Sequence, residues 1–239
     1  EGRYANAEFL GSTDSLIILE VMKRNRMMSG KITAHLVGIN FITKKKIFDL
    51  EGEDDRHTLV PTNVIPLKGT DRILVMGSYF DKGDNVAKDF SKGLAIYEID
   101  SKGNVLSKTY NSWGKDFAKY LPTGSKGKLD KVGFLYIHKL IRTNTGKFFA
   151  VAEGYKRQAN ATGIALTMLS AAAGSYGNAG TTKIVTTDLV VMEFDDKFKV
   201  ANATIYDKNN NTADVVLSDY QSQHAIALVL KASGGFGYE

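Results

Sequence analysis

Histidines are the first side chains to consider for chemistry, because imidazole serves both acid–base catalysis and metal binding. The chain has four, His35, His57, His138 and His224, and no two of them have the spacing of metal ligands. His138 and His224 both stand near the beginning of a strand-like apolar segment. Equivalent positions in a repeat can converge on a central channel, so these two are channel-facing candidates. Structural histidines with hydrogen-bond partners are the alternative.

Carboxylates also recur at matching positions. Glu98 and Glu193 lie in two similar apolar segments, and Asp100 and Asp195 follow them at the same offset. A pair of carboxylates can hydrolyse a glycosidic bond when it flanks the sugar. Residues repeated in this way usually serve turns or edge hydrogen bonds, whereas a catalytic set is asymmetric. We therefore assign no catalytic residue and keep glycoside hydrolysis as the alternative chemistry.

The signatures of cofactor and metal chemistry are missing from the sequence. The acidic segments 51–55 and 81–85 lack the ligand spacing of a calcium-binding loop. Cysteine is absent, so neither a disulfide framework nor a thiolate metal site is possible. No phosphate-cradling glycine loop or Gly-x-Ser-x-Gly motif occurs. We predict no cofactor and no metal site.

Charge and hydropathy exclude two further classes of protein. The 31 Lys and Arg exceed the 26 Asp and Glu by only 5 charges, and the basic residues are scattered. The one dense run, Lys44–Lys46, is interpreted as a turn between strands, so no nucleic-acid partner is expected. The longest mostly apolar run, 163–174, is shorter than the roughly 20 residues that cross a bilayer, which predicts no transmembrane segment in this chain.

A repeated pattern organises the chain. It consists of an apolar strand end, a turn rich in Thr, Asn, Asp or Gly, and a second apolar strand. Such turn residues tolerate the backbone angles that short hairpins need. Two more strands follow each of the first three copies. The copies are Phe9–Glu20, Pro66–Gly77, Lys139–Val151 and Leu228–Phe236.

The units extend over about 4–50, 62–110 and 134–206, with a truncated unit at 215–239. Four antiparallel strands in roughly 45 residues are the size of one β-propeller blade. We therefore predict an all-β, β-propeller-like fold with three four-stranded antiparallel blades and part of a fourth. The propeller-like region covers residues 1–239, and because propellers close on themselves, we expect it to be a fragment of a longer chain.

An insertion at 158–182 lengthens the third unit. Its Ala, Leu and Met content favours a short helix that ends at glycines. The helix could cap the propeller face and bury its own apolar side. We expect instead that it packs against something other than its own sheet, because exposed apolar patches need covering. The partner-binding candidates are Ile164, Leu166, Met168, Leu169 and Tyr176.

Three segments carry a resemblance to a known family. Ile137–Lys139, Thr145–Tyr155 and Asp188–Asp195 resemble an uncharacterised family of bacterial envelope proteins that is labelled only as a domain of unknown function. The similarity covers most of the chain from about Thr62 onward. It implies a β-repeat fold and an exported location, and it implies no functional residues.

These observations favour a non-enzymatic binding or scaffold module of an exported bacterial protein. It would present loops and an apolar insertion to a protein or glycan partner. Its expected location is periplasmic, outer-membrane-associated or extracellular, where it could associate with a membrane-bound complex. The alternative is a carbohydrate-active enzyme, a glycoside hydrolase on a propeller-like scaffold.

Overall fold

The computed structural model describes residues 3–24, 32–86, 88–159, 161–173 and 182–213. The strands form three antiparallel sheets, each in chain order. The first contains β1 (Arg3–Ser12), β2 (Leu16–Arg24), β3 (Ile32–Asn40) and β4 (Lys45–Glu51). The second contains β5 (His57–Pro66), β6 (Arg72–Asp81), β7 (Gly93–Asp100) and β8 (Val105–Ser112). The third contains β9 (Phe134–Arg142), β10 (Phe148–Ala159), β11 (Thr182–Phe194) and β12 (Val200–Tyr206).

Three smaller elements complete the described structure. The helix α1 (Ala161–Ala172) connects β10 to β11, and a 3-10 helix occupies Phe117–Lys119. A short strand, β13 (Asn211–Ala213), pairs with β11 at the end away from β12. The predicted all-β class, with four-stranded antiparallel sheets and one helical insertion, is confirmed. The truncated unit expected at 215–239 lies outside the described residues.

The second strand of each sheet is where the sequence pattern placed it. The segments Leu16–Leu19, Ile73–Met76 and Phe149–Ala152 lie in β2, β6 and β10. The second sheet begins at His57 rather than at Thr62, because β5 continues through Pro61. The register of β5 against β6 shifts between Pro61 and Asn63, and such an irregularity allows a proline inside a strand.

Short turns join the strands within each sheet. Between β7 and β8, Gly103 has a φ of 89°, which glycine adopts without a steric penalty. In the corresponding turn between β11 and β12, Phe198 has a φ of 60°. The Phe198 ring packs against Phe148 at a centroid distance of 5.1 Å, and its carbonyl accepts a hydrogen bond from Asn111 Nδ2 at 2.9 Å. These tertiary contacts offset the backbone strain at a non-glycine residue.

The second sheet lies between the other two and is buried on both faces. On β6, Ile73 and Val75 pack in the cluster shared with the first sheet, whereas Leu74 and Met76 pack in the cluster shared with the third. All four side chains are at most 1% exposed. Strand alternation explains the pattern, because successive side chains point to opposite faces. The core is therefore continuous from the first sheet to the third.

The first strands of the three sheets lie next to one another. Strand β5 contacts β1 on one side and β9 on the other. Asn63 on β5 donates a hydrogen bond from Nδ2 to the His138 carbonyl on β9 at 3.3 Å. The order β1, β5, β9 therefore forms the line along which the sheets meet.

The hairpin of β10 and β11 extends past β9 and β12, and β13 pairs with β11 beside the start of this extension. The two strands pair from Phe148 and Phe194 out to Ala159 and Thr182, whereas β9 stops pairing with β10 at Tyr155. Beyond Tyr155 the hairpin continues for about 13 Å at the usual rise of a strand. The helix α1 stands at the end of this extension.

Candidate binding sites

A pocket opens where the three sheets meet. It has a volume of about 110 Å³. Residues of β1, β2, β5, β6, β9 and β10 line it, together with the loops that contain Phe90 and Lys126. Its charged and aromatic lining side chains include Glu8, Glu20, Asp89, Phe90, Trp113, Lys126, Phe134 and Tyr136.

Aromatic rings shape the pocket. Phe90 and Phe134 are stacked with their centroids 5.5 Å apart and their planes within 8° of parallel. The Lys126 ammonium lies 5.4 Å from the centre of the Phe90 ring, a cation–π contact. Trp113 is buried and donates from Nε1 to Ser91 Oγ at 3.0 Å, which fixes the orientation of the indole. The pocket wall therefore contains aromatic rings that pack on one another and on a lysine ammonium.

Acidic side chains line the same pocket. Glu8 on β1 and Glu20 on β2 are directly opposite each other in the antiparallel pair, so both face one side of the sheet. Glu20 is 3% exposed although it lies in the apolar strand Leu16–Arg24. Asp89 lies in the loop beside Phe90. Ionised carboxylates are strong acceptors for ligand hydroxyl and amine donors.

A second buried carboxylate, Glu153 on β10, is only 1% exposed. His138 Nε2 lies 3.1 Å from its Oε2, and the Lys208 ammonium contacts its other oxygen. Burial acts to raise the pKa of Glu153, but the hydrogen bonds from His138 and Lys208 outweigh it and hold that pKa below the ordinary value. Glu153 is therefore held as a carboxylate by two partners.

Of the two channel-facing candidates, His138 and His224, the structure describes only His138. The His138 ring is committed to Glu153, while the preceding residues Tyr136 and Ile137 line the pocket. His138 itself does not line the pocket, and its role as a channel-facing residue stays a prediction. His224 lies outside the described residues, so the predicted convergence of the two histidines stays a prediction.

The recurring carboxylates serve their own sheets. Glu98 pairs with Arg72 at 2.8 Å, and Glu193 pairs with Lys147 at 2.6 Å. The Asp100 side chain accepts hydrogen bonds from backbone N–H groups in the β7–β8 turn, and Asp195 does the same in the β11–β12 turn. These contacts give all four carboxylates structural roles.

The acidic segments at 51–55 and 81–85 hold ion pairs. Asp54 accepts hydrogen bonds from Lys108 at 2.6 Å and from the Tyr110 hydroxyl at 3.0 Å. Burial opposes ionisation, yet these bonds keep the pKa of Asp54 well below its usual range. Asp81 and Asp84 pair with Lys92. Across the described ranges, no three His, Asp or Glu side chains come together as a metal site.

The helix α1 presents its larger apolar side chains to solvent. Leu166, Met168 and Leu169 are 51%, 68% and 66% exposed, and Ile164 is half-buried. Tyr176, the fifth partner-binding candidate, lies outside the described residues. Among the residues that the structure describes, no helix is long and apolar enough to cross a membrane.

Sequence reasoning missed the pocket, because its walls come from segments far apart in the chain. A signal for part of it was present nonetheless. Glu20 and Glu153 are acidic residues inside otherwise apolar second strands, and they follow the matched segments Leu16–Leu19 and Phe149–Ala152 directly. Charged side chains are almost never fully buried unless paired, so an acid in an apolar strand marks a special site.

The fold and the site together define an all-β protein of three packed four-stranded sheets with a pocket at their junction. A family of unknown function, DUF6770, matches residues 1–239. The chain therefore belongs to this family, which confirms the expected membership in a family known only as a domain of unknown function. A comparison with curated proteins found no match.

Proposed function

We propose that the chain is a non-enzymatic binding module of an exported bacterial protein, and that its inter-sheet pocket binds one sugar residue of a glycan. The observation that carries this proposal is the stacked pair Phe90 and Phe134 beside the carboxylates of Glu8 and Glu20. A sugar ring has an apolar face that packs on aromatic rings, and its hydroxyl groups donate to carboxylates. The exported location rests on the resemblance described above.

The size of the pocket favours a small ligand group. Its volume of about 110 Å³ is well below the roughly 300–1,000 Å³ of sites that enclose drug-sized ligands. A terminal sugar would enter, while the remainder of the glycan would lie on the surrounding loops. Binding sites of this kind commonly lie on loops held by a rigid scaffold.

The proposed scaffold is propeller-like. Support comes from the strand order within each sheet and from the contacts of β5 with β1 and β9. In propellers, four-stranded sheets are arranged around an axis that is often used for ligands. The pocket lies where these first strands meet, which is the place such a scaffold would offer to a ligand.

A glycan array probed with the full chain tests the proposal, followed by titration of the best glycan with Trp113 fluorescence as the signal. Replacing either stacked ring, Phe90→Ala or Phe134→Ala, should weaken binding by roughly 5- to 10-fold, because an aromatic contact is worth about 1 kcal/mol beyond its buried area. Phe41→Ala is the matched control, since Phe41 is 45% exposed and does not line the pocket. Equal losses in all three variants, or no glycan bound, would contradict the proposal.

A glycoside hydrolase is the second candidate, and one observation favours it. Glu8 and Glu20 are a directly opposed cross-strand pair in the pocket. Such pairs hold their Cβ atoms about 5 Å apart, which keeps the two carboxyl groups close enough to act on one glycosidic bond. Turnover of chromogenic aryl glycosides that is lost in both Glu8→Gln and Glu20→Gln would establish the enzyme. Glycan binding without turnover would establish the binding module.

A further inference from the structure

In an ordinary surface helix the large apolar side chains are buried and the polar ones are exposed. In α1 most of the large apolar side chains are exposed instead. Ile164, Thr167 and Ser170 are half-buried and are spaced three residues apart, so they form the less exposed side of the helix. Two of these three residues are polar. The more exposed side instead carries Leu166, Met168 and Leu169. A helix that turns its large apolar residues outward is made to contact something beyond its own chain.

The helical segment carries no charge, whereas the base of the hairpin extension is positively charged. No charged residue occurs between Arg157 and Lys183, whereas Lys156, Arg157 and Lys183 stand together where the hairpin leaves its sheet. Lys156 and Lys183 lie on one face of the hairpin, and Arg157 lies on the other. The extension therefore has an uncharged apolar tip and a basic base.

Further lysines adjoin this base. The Lys156 ammonium donates a hydrogen bond to the Lys131 carbonyl. Lys128, Lys131 and Lys156 line one cavity, with Asp130 as the acidic residue there. The positive charge at the hairpin base thus extends over the neighbouring loop.

We propose that the β10–β11 hairpin docks on an anionic phospholipid membrane, with α1 in the headgroup region and the basic base against the lipid phosphates. The 12 residues of α1 make a helix about 18 Å long, shorter than the roughly 30 Å hydrocarbon core, so it lies at the interface and does not span. This docking goes beyond the proposed glycan binding and uses a different surface.

The chemistry of the tip favours lipid over a protein. A specific protein interface needs a rim of directional polar or charged contacts around its apolar centre. Between Arg157 and Lys183 the chain has no charged side chain that could set the register of a partner. A bilayer interface requires only an apolar face and cations that match its phosphates.

Co-sedimentation of the full chain with vesicles tests this proposal, using phosphatidylcholine alone and phosphatidylcholine mixed with phosphatidylglycerol. We expect binding to the anionic vesicles that weakens with added salt. The double variant Leu166→Glu/Leu169→Glu should lose at least about tenfold in partitioning, because it places charge in the apolar contact. Lys156→Gln/Lys183→Gln should lose about 5-fold per lysine on anionic vesicles.

Leu106→Glu on β8 is the matched control, because Leu106 is 50% exposed on a strand of the second sheet. It should sediment like the unmodified protein. Because Leu166 and Leu169 are exposed, Leu166→Glu/Leu169→Glu should leave the thermal unfolding temperature unchanged. An unchanged temperature would show that a loss of vesicle binding does not result from unfolding. Absence of sedimentation with anionic vesicles, or equal loss in the Leu106 control, would overturn the proposal. If the protein does not bind vesicles but forms concentration-dependent dimers that Leu166→Glu/Leu169→Glu abolishes, the occupant of this surface is a second copy of the chain.

Discussion

Two acidic side chains are buried in strands that are otherwise apolar, Glu20 at 3% and Glu153 at 1% exposure. They occupy corresponding places in β2 and β10, and Gly77 takes that place in β6. Their surroundings differ, because Glu20 lines the pocket while Glu153 is held by His138 and Lys208. The same position thus contributes to the pocket wall in one sheet and to an internal ion pair in another.

The ion pair at Glu153 predicts a pH-dependent contribution to stability. Since the folded protein holds the Glu153 pKa below the ordinary value of 4.5, its contribution is fully present above that pH and is lost as the pH falls through the folded pKa. Glu153→Gln should lower the free energy of unfolding at neutral pH by about 1.5–3 kcal/mol, the range for hydrogen bonds to charged groups. Urea unfolding of both proteins should show this difference narrowing as the pH falls below 4.5.

Glu193→Gln serves as the control for that measurement. Glu193 pairs with Lys147, whose side chain is 61% exposed, and solvent screening limits such pairs to about 0.2–1 kcal/mol. If Glu153→Gln lowers the free energy of unfolding by no more than Glu193→Gln does, the buried ion pair stabilises the fold no more than the exposed one.

Hairpin turns are the elements that the sequence predicted best. Residues such as Asp100, Gly103 and Gly146 have backbone preferences that act locally, so their turns can be inferred without knowing the rest of the fold. The helix was inferred from its Ala, Leu and Met content and the glycines that follow it. The pocket could not be inferred, because Glu8, Phe90 and Phe134 meet only after three sheets have packed together.

Two glycine turns in the second sheet allow the steric cost of a substitution to be measured separately from its backbone strain. Gly103 and Gly83 have the same φ of 89°, but a Cβ at Gly103 would lie 2.5 Å from Phe48 of the first sheet, whereas a Cβ at Gly83 would meet nothing within 4 Å. Gly83→Ala should cost about 1 kcal/mol from the left-handed backbone alone. Gly103→Ala should cost about 1–3 kcal/mol more, because the Phe48 ring must move.

Chemical denaturation of the two glycine variants, followed by circular dichroism, provides the comparison. Equal destabilisation by Gly103→Ala and Gly83→Ala would mean that the β7–β8 turn does not press on the first sheet. Phe48 is itself 6% exposed and lies in the cluster between the two sheets, so a shift of its ring is transmitted to that core.

At the scale of the whole molecule, the second sheet belongs to two hydrophobic clusters at once. Ile73 packs toward the first sheet and Ile96 toward the third, and each is 1% exposed. The single tryptophan, Trp113, lies in the cluster of Ile96. Because one sheet joins both clusters, the described part of the chain should unfold as a single cooperative unit.

Trp113 fluorescence can test this cooperativity. Ile73→Ala and Ile96→Ala should each lower the free energy of unfolding by about 2–5 kcal/mol, the usual cost of a large-to-small change in a core. Both variants should shift the fluorescence transition, although Ile73 is in the cluster that does not contain Trp113. An unchanged transition in Ile73→Ala would show instead that the first sheet unfolds separately.

The chain order of the strands also bears on how the protein forms during synthesis. Within each of the three four-stranded orders, every pairing joins strands that are neighbours in the chain, so a growing polypeptide can complete one sheet before the next begins. The apolar face formed by Ile18 and Leu36 nevertheless is not completely covered until Ile99 has been made, since its cover comes from the second sheet. A nascent chain released before that point exposes this face to aggregation, and the interval between the first and second sheets is where a chaperone is most needed.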